Sequence, residues 1–362
     1  MTPEDRAWEV VRRAFEERPP TPSRPTASNR LLLAAALVVV AAVVVAALSP
    51  PGRAVFQRVR EAVGVENAAT ELGALPAPGR LLVVAADGAW VVEPDGLRRH
   101  LGAYTDAQWS PHGLYVVGTR ADELVALDPD GDVHWTLPRP HPSLPRWEGT
   151  RTDTRIAYLS AGALRVVAGD GTGDHVLAPR VAHVAPAWDP ARVRTVAYVS
   201  GRTVVLSGDD GTVVWRAPVR VVPTALAWSS DGRFLAVDSA NRIVVLDAHG
   251  KLAHTVSMLS AKRLSAAFEP GTHRLAVSIR LGGRSQIRLV DLDHLGPEPL
   301  LFAGPGVFGD VAWSPNGAWL LVAWPTANQW LFVRGTDVHA VGNIRAQFGS
   351  GAQLASRWCC PS

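Results

Sequence analysis

The side chains that could perform covalent or metal chemistry are scattered along this 362-residue chain, not gathered into motifs. Its eleven histidines stand singly, with no His-Glu-x-x-His pair at ligand spacing. There is no Gly-x-Ser-x-Gly elbow to present a nucleophile and no Gly-x-x-x-x-Gly-Lys loop to cradle phosphate. Asp128, Asp130 and Asp132 alternate as in half of a calcium loop, but the glycine and the distal glutamate are misplaced, so a strand-connecting turn is expected. Cys359 and Cys360 are the only cysteines, and three readings stay open for them: filler in a last strand, a link to another chain, or a bond between neighbours. No catalytic residue, metal site or cofactor is expected, and the chain reads as a non-enzyme.

The positions that do repeat are aromatic. Trp109, Trp147, Trp188, Trp228, Phe268, Trp313 and Trp358 follow one another at steps of 38, 41, 40, 40, 45 and 45 residues. A period near forty, with four short strands per unit, is what a β-propeller needs, because each blade is a small sheet whose two faces must be covered by its neighbours. In the clearest unit, Ala225–Trp228 forms strand A and Ser229 to Gly232 a tight turn, followed by strands B at 233–237, C at 243–247 and D at 251–256. Asp-Gly and Asn-Gly turns between apolar runs are hairpin signals, because those turns need positive φ.

The two ends of the repeat region complete one another. Arg80 to Leu101 supplies strands B, C and D with no strand A before them, while Ala355 to Ser362 supplies a strand A with nothing after it. Joined, they make a seventh blade and leave the ring without an open edge. The predicted fold is therefore all-β, a seven-bladed β-propeller closed by its N- and C-terminal strands and preceded by a single transmembrane helix.

These units resemble the TolB-like and WD40-like propeller repeats of bacterial envelope proteins. The matching stretches are Trp109-Ser-Pro-His-Gly113, Trp228-Ser-Ser-Asp-Gly232 with Leu235-Ala-Val237, Leu275-Ala-Val277, and Trp313-Ser-Pro-Asn-Gly317. The resemblance covers about residues 80 to 362 and implies the repeat type without implying a partner. Trp135 and Trp215 each stand four residues after a turn glycine, which is similar to quinoprotein-type repeats. Since this occurs in only two blades, both are expected to pack blades together, and a quinone cofactor is the weaker reading.

Ahead of the propeller, Leu31 to Leu48 is an uncharged apolar run of eighteen residues, roughly 27 Å as a helix against a bilayer core of about 30 Å. Thirty residues without a long apolar run precede it, too many for a cleaved signal peptide, so an uncleaved signal anchor is expected. Arg12, Arg13, Arg18, Arg24 and Arg30 before the run outnumber Arg53, Arg58 and Arg60 after it, which puts the N-terminus in the cytoplasm and the propeller outside. The expected organisation is a cytoplasmic amphipathic helix and Pro-rich linker at 1–29, a transmembrane helix at 30–49, a juxtamembrane helix and linker at 50–78, and the propeller at 79–362. Trp8, Val11 and Phe15 share one face of the first helix, a contact surface for the membrane or a cytoplasmic protein.

A net charge of only +3 gives no reason to expect a nucleic-acid partner. Sorted by blade geometry, however, the charges separate. Aspartates collect at the C–D turns, while Arg120, Arg139, Arg146, Arg180, Arg202, Arg220, Arg242, Lys262, Arg263, Arg280 and Arg284 fall on the face of the B–C turns and D–A connections. Three long connections, Arg139 to Arg146, Ser278 to Gln286 and Gly342 to Gly351, are expected on that face. The function expected is a membrane-anchored extracytoplasmic binding module whose basic face holds a protein or an anionic ligand. One alternative is a transmembrane signalling regulator, similar in layout to membrane-bound anti-sigma factors, with a propeller sensor. A propeller enzyme or quinoprotein-like protein is weaker still.

Overall fold

The computed structural model describes residues 68–362 apart from 151, 258–261, 295, 351–352 and 361–362, and the backbone alone at 262–264 and 353–357. The expected cytoplasmic helix with Trp8, Val11 and Phe15, and the expected span at 30–49, lie outside the described residues. Among the described residues no helix is long and apolar enough to cross a membrane.

Seven four-stranded antiparallel sheets follow one another along the chain. Blade 1 holds β1 (Arg80–Ala85), β2 (Gly88–Val92) and β3 (Arg98–Gly102), and blade 2 holds β4 (Asp106–Trp109), β5 (Val116–Arg120), β6 (Glu123–Leu127) and β7 (Val133–Pro138). Blade 3 runs through β8 (Ser143–Gly149), β9 (Thr154–Ser160), β10 (Ala163–Ala168) and β11 (His175–Ala178). Blade 4 comprises β12 (Ala187–Trp188), β13 (Thr195–Ser200), β14 (Thr203–Gly208) and β15 (Val213–Pro218). Blade 5 comprises β16 (Ala225–Trp228), β17 (Phe234–Asp238), β18 (Arg242–Asp247) and β19 (Leu252–Ser257). Blade 6 has β20 (Lys262–Phe268), β21 (Arg274–Leu281), β22 (Arg284–Asp291) and β23 (Leu300–Pro305). Blade 7 has β24 (Val311–Trp313), β25 (Leu320–Trp324), β26 (Gln329–Arg334) and β27 (Asp337–Val341), and the chain ends on α1 (Ile344–Phe348) and β28 (Gln353–Cys359).

The closure expected from the two ends is present. β28 pairs antiparallel with β1, setting Trp358 opposite Leu81 and Arg357 opposite Leu82, so the C-terminal strand is strand A of blade 1. Strand order within a blade explains its composition. The middle strands are covered on both sides by neighbouring blades, so β17 (FLAVD) and β25 (LLVAW) are buried at every residue. Their apolar runs are accordingly continuous and do not alternate. The outer strands β7 and β15 are largely exposed, and they leave Val133, Val213 and Val214 in solvent.

The Trp-Ser-x-x-Gly phrase has a mechanical role. In blade 5 the Ser229 hydroxyl accepts from the Phe234 amide at 3.0 Å and donates to Asp231 at 2.7 Å, while the Ser229 carbonyl accepts from the Gly232 amide at 2.9 Å. Ser314 repeats this with Trp319, Asn316 and Gly317. The closing glycine is left-handed, with φ of 72° at Gly232 and 68° at Gly317, a conformation that costs glycine least. Blade 6 lacks the serine and uses buried Glu269 instead, which holds Arg274 at 2.5 and 2.6 Å.

The aromatics themselves tie the inner strands into a ring. The indole Nε1 of Trp188 donates to the Arg146 carbonyl at 2.8 Å, that of Trp228 to Ala187 at 3.2 Å, and that of Trp313 to Ala267 at 3.2 Å. In each case the acceptor precedes the aromatic of the previous blade. Trp147 and Trp358 break the pattern, because their buried Nε1 groups find no partner.

Several local expectations are revised. The connection from Arg139 is short, since β8 already begins at Ser143, and positive φ at His141 (46°) and Leu144 (54°) lets the chain turn sharply there. Ser278 to Gln286 is not a loop but the end of the long β21–β22 hairpin. The Gly342–Gly351 connection folds into α1, whose Ile344 and Phe348 are buried, with Phe348 stacked on Trp330 at 4.9 Å. Leu72, Leu75 and Ala77 are buried against blades 1 and 7, so part of the expected linker packs on the wheel.

Candidate functional site: the basic arc of the B–C face

In each antiparallel blade the A–B and C–D turns lie on one face, and the B–C turns and D–A connections on the other. The aspartates of the C–D turns largely serve the turns. Asp128 accepts from the amides of Asp130 and Asp132 at 2.9 and 3.0 Å, and Asp247 from those of His249 and Lys251 at 2.9 Å each. This is the ordinary role of aspartate in such loops; of the other two alternating acids, Asp130 meets Arg99 and Asp132 stays exposed. Among the described residues no group of three or more His, Cys, Asp or Glu side chains is arranged to hold a metal.

The opposite face divides into two parts. Arg120 is exposed but its Nε donates to Glu123 at 2.8 Å, and its guanidinium lies 5.8 Å from the Tyr104 ring centre. Arg139 is bound to Asp174 at 2.5 and 2.8 Å. Asp174 belongs to the C–D connection of blade 3, among the aspartates expected to point out at the turns. Its side chain turns into the blade, where it is 4% exposed and also meets Arg165 and the Tyr158 hydroxyl, the latter at 2.6 Å. Burial opposes its ionisation, but those three partners outweigh burial and hold its pKa below the usual carboxylate range. Arg146 was expected in a loop and lies in the inner strand β8. Burial draws its pKa down, opposed by the carboxylate of Asp106. These three residues do not form a free basic surface.

Blades 4 to 6 are different. Arg180 and Arg220 sit on the D–A connections before and after blade 4, and Arg202 and Arg242 on the B–C turns of blades 4 and 5. All four are exposed and make no ion pair among the described residues. Blade 6 continues the series with Lys262 and Arg263 at the start of β20, and with Arg280 and Arg284 flanking the β21–β22 turn. Arg280 is partly buried and donates to the Gly282 carbonyl at 3.1 Å, while Arg284 is exposed. Across the connections that carry these eight residues, from Pro179 to Ser285, Asp238 is the only acid on this face, and it is buried. The exposed guanidinium groups of Arg180, Arg202, Arg220 and Arg242, on a stretch of face with no exposed acid, attract anions over a Debye length of about 8 Å at physiological salt.

The spacing of the inner strands also brings together a group that sequence reasoning missed. Asp106 of β4 meets β8 of the neighbouring blade, accepting from the Leu144 amide at 3.0 Å and acting on the charge of Arg146, with Glu148 two residues further along the same strand. The Glu148 pKa is raised by burial, against the pull of the Gly149 amide and of His112. The i, i+2 spacing of Arg146 and Glu148 was the available signal. Trp135 and Trp215 are blade-packing aromatics as expected: Trp135 donates to Gly169 at 2.9 Å and Trp215 to Ala248 at 3.2 Å, each indole lying over the C–D turn of the next blade.

A scan of protein-family models finds no match, and no curated protein matches the sequence. Solved structures do match. The chain is similar to the β-propeller domain of Cps50 (Swd1) from Myceliophteria thermophila, at 14% identity and a TM-score of 0.52, over 66% of this chain and 84% of that one. It is similar to the Pan2 WD40 domain of Neurospora crassa, at 10% identity and a TM-score of 0.52, over 66% and 78%. A chain of a mitotic checkpoint complex matches at 16% identity and a TM-score of 0.56, over 75% and 93%. Identities this low define the fold alone. The chain is a seven-bladed β-propeller with WD40-like structural neighbours, a fold typical of protein-interaction modules.

Proposed function

We propose that this chain is a membrane-anchored, extracytoplasmic binding module, and that the basic arc of blades 4 to 6 holds an acidic protein or other anionic ligand without turning it over. The observation that carries the reading is the run of exposed Arg180, Arg202, Arg220 and Arg242, which make no ion pair among the described residues on a stretch of face with no exposed acid. The apolar run at 31–48 supports the anchor, and the arginine bias around it supports an outward-facing propeller. Rim charges of this kind act mainly on association rate and salt dependence. The test is cross-linking in the native membrane, comparing the wild type with the variant carrying Arg180→Glu, Arg202→Glu, Arg220→Glu and Arg242→Glu. Capture of the partner should fall at least tenfold and lose its sensitivity to salt. Unchanged capture in a folded variant would remove the arc from the function. Deleting residues 1–28 separates the signalling alternative, since binding through the arc is expected to survive it and control of a cytoplasmic regulator is not.

A further inference from the structure

On the opposite face, between blades 2 and 3, a cavity of about 410 Å³ opens to solvent, within the range of small-ligand sites. One side of it is aromatic. Tyr115 is 39% exposed, and its ring lies nearly parallel to that of buried Trp147, 16° apart with centres 6.1 Å distant. Trp135 is fixed beside them by its bond to the Gly169 carbonyl. The other side carries Asp153, Asp170 and Arg155.

The charges on that side do not cancel. Arg155 donates to Asp153 at 2.6 Å, to the Thr154 carbonyl at 2.8 Å and to Asp209 at 3.3 Å, and Arg194 reaches the other oxygen of Asp153 at 2.5 Å. Two guanidinium groups and two carboxylates therefore neutralise one another. Asp170 is left over. Its carboxylate makes no ion pair of its own and accepts from the hydroxyl and amide of Thr172, at 2.7 and 3.0 Å, bonds that with the more distant pull of Arg155 favour its ionised form. Asp132 and Asp210, at the neighbouring C–D turns, are exposed and make no ion pair among the described residues. Aromatic faces present the negative part of their quadrupole, so Tyr115 and Trp135 on one side and Asp170 on the other favour positive charge, in a lining that also holds His112 and His134.

We infer that this cavity is a binding site for an organic cation, an alkylammonium or guanidinium group, carried either by a small ligand or by a lysine or arginine side chain of a partner. The site lies on the face opposite the basic arc and does not depend on the arc's function.

The experiment titrates the full-length chain, by calorimetry, with choline, with its uncharged isostere 3,3-dimethylbutan-1-ol, and with an acetylated tetralysine amide. Saturable binding of choline, at least tenfold tighter than the isostere, supports a small-cation site. Saturable binding of the peptide alone supports a side-chain site. In either case Tyr115→Ala and Asp170→Asn should each weaken binding about fivefold or more. Asparagine keeps the turn acceptor, and Tyr115 is partly exposed, so both variants are expected to fold. Absence of binding by both cations, parity of choline with its isostere, or wild-type affinity in both variants would overturn the inference.

Discussion

The ring of indole hydrogen bonds makes a quantitative prediction about stability. Trp188, Trp147 and Trp358 are equally enclosed, at 8%, 6% and 7% exposure, but only the first has a partner for its Nε1. Replacing each with phenylalanine removes the same atoms from a similar setting, so the loss of ring contacts cancels between variants. What remains is the nitrogen. Trp188→Phe loses a hydrogen bond with a net contribution of roughly 0.5–1.5 kcal/mol, whereas the other two replacements remove a buried unpaired donor that costs about 1–3 kcal/mol. The variants should therefore differ by ~1.5–4.5 kcal/mol, with Trp188→Phe the least stable. At roughly 2 °C per kcal/mol for a domain of this size, that is a separation of about 3–9 °C in the thermal midpoint followed by far-UV circular dichroism. If all three variants melt within about a degree of one another, the indole bonds between inner strands do not hold the ring and the reasoning fails.

Two further substitutions probe other parts of the wheel. His273 bridges blades 5 and 6, with its ring nitrogens 2.9 Å from Asp231 and 2.7 Å from Asp293. Burial lowers its pKa, but the bonds to the two carboxylates outweigh burial and raise it, while Asp231 is held down to about 2. The stabilisation from charged His273 is complete below the unfolded value of about 6.5 and is lost as pH rises through the raised folded value. His273→Gln should then melt further below the wild type at pH 6 than at pH 9, and parallel pH profiles would show that the bridge contributes nothing. Gly118→Ala places a methyl 2.6 Å from the ring of buried Tyr104, within a strand covered on both faces. Overpacking of this kind costs about 1–3 kcal/mol, readable as a lowered urea midpoint, and an unchanged midpoint would mean the Tyr104 ring moves aside freely.

What could be read from the sequence was whatever depends on repetition. The aromatic period is legible because each blade must present a large side chain to the next at the same depth. The closure is legible because a fragment with strands B to D and a fragment with strand A alone leave one place for each. The serine and glycine of the turns are legible because one needs a hydroxyl facing two amides and the other a positive φ.

The charged site was only partly legible, because face assignment follows from strand order but pairing does not. Nothing in the spacing of Arg139 and Asp174 says that the aspartate leaves the turn to meet Arg139, Arg165 and Tyr158. Likewise the early start of β8 depends on positive φ at His141 and Leu144, residues that rarely adopt it, and this moves Arg146 from a loop to the inner strand. Arg180, Arg202, Arg220 and Arg242 stay exposed for the opposite reason. Their connections contain no exposed acid, so no refolding of a turn could neutralise them. The cation cavity escaped notice because it joins the turn after Trp109 to strands of two blades. Tyr115 carries no repeat signal, and Trp147 has the same spacing as the other blade aromatics, its unpaired Nε1 being shared with Trp358. On this chain, then, the positions that break the repeat point to function more sharply than those that keep it.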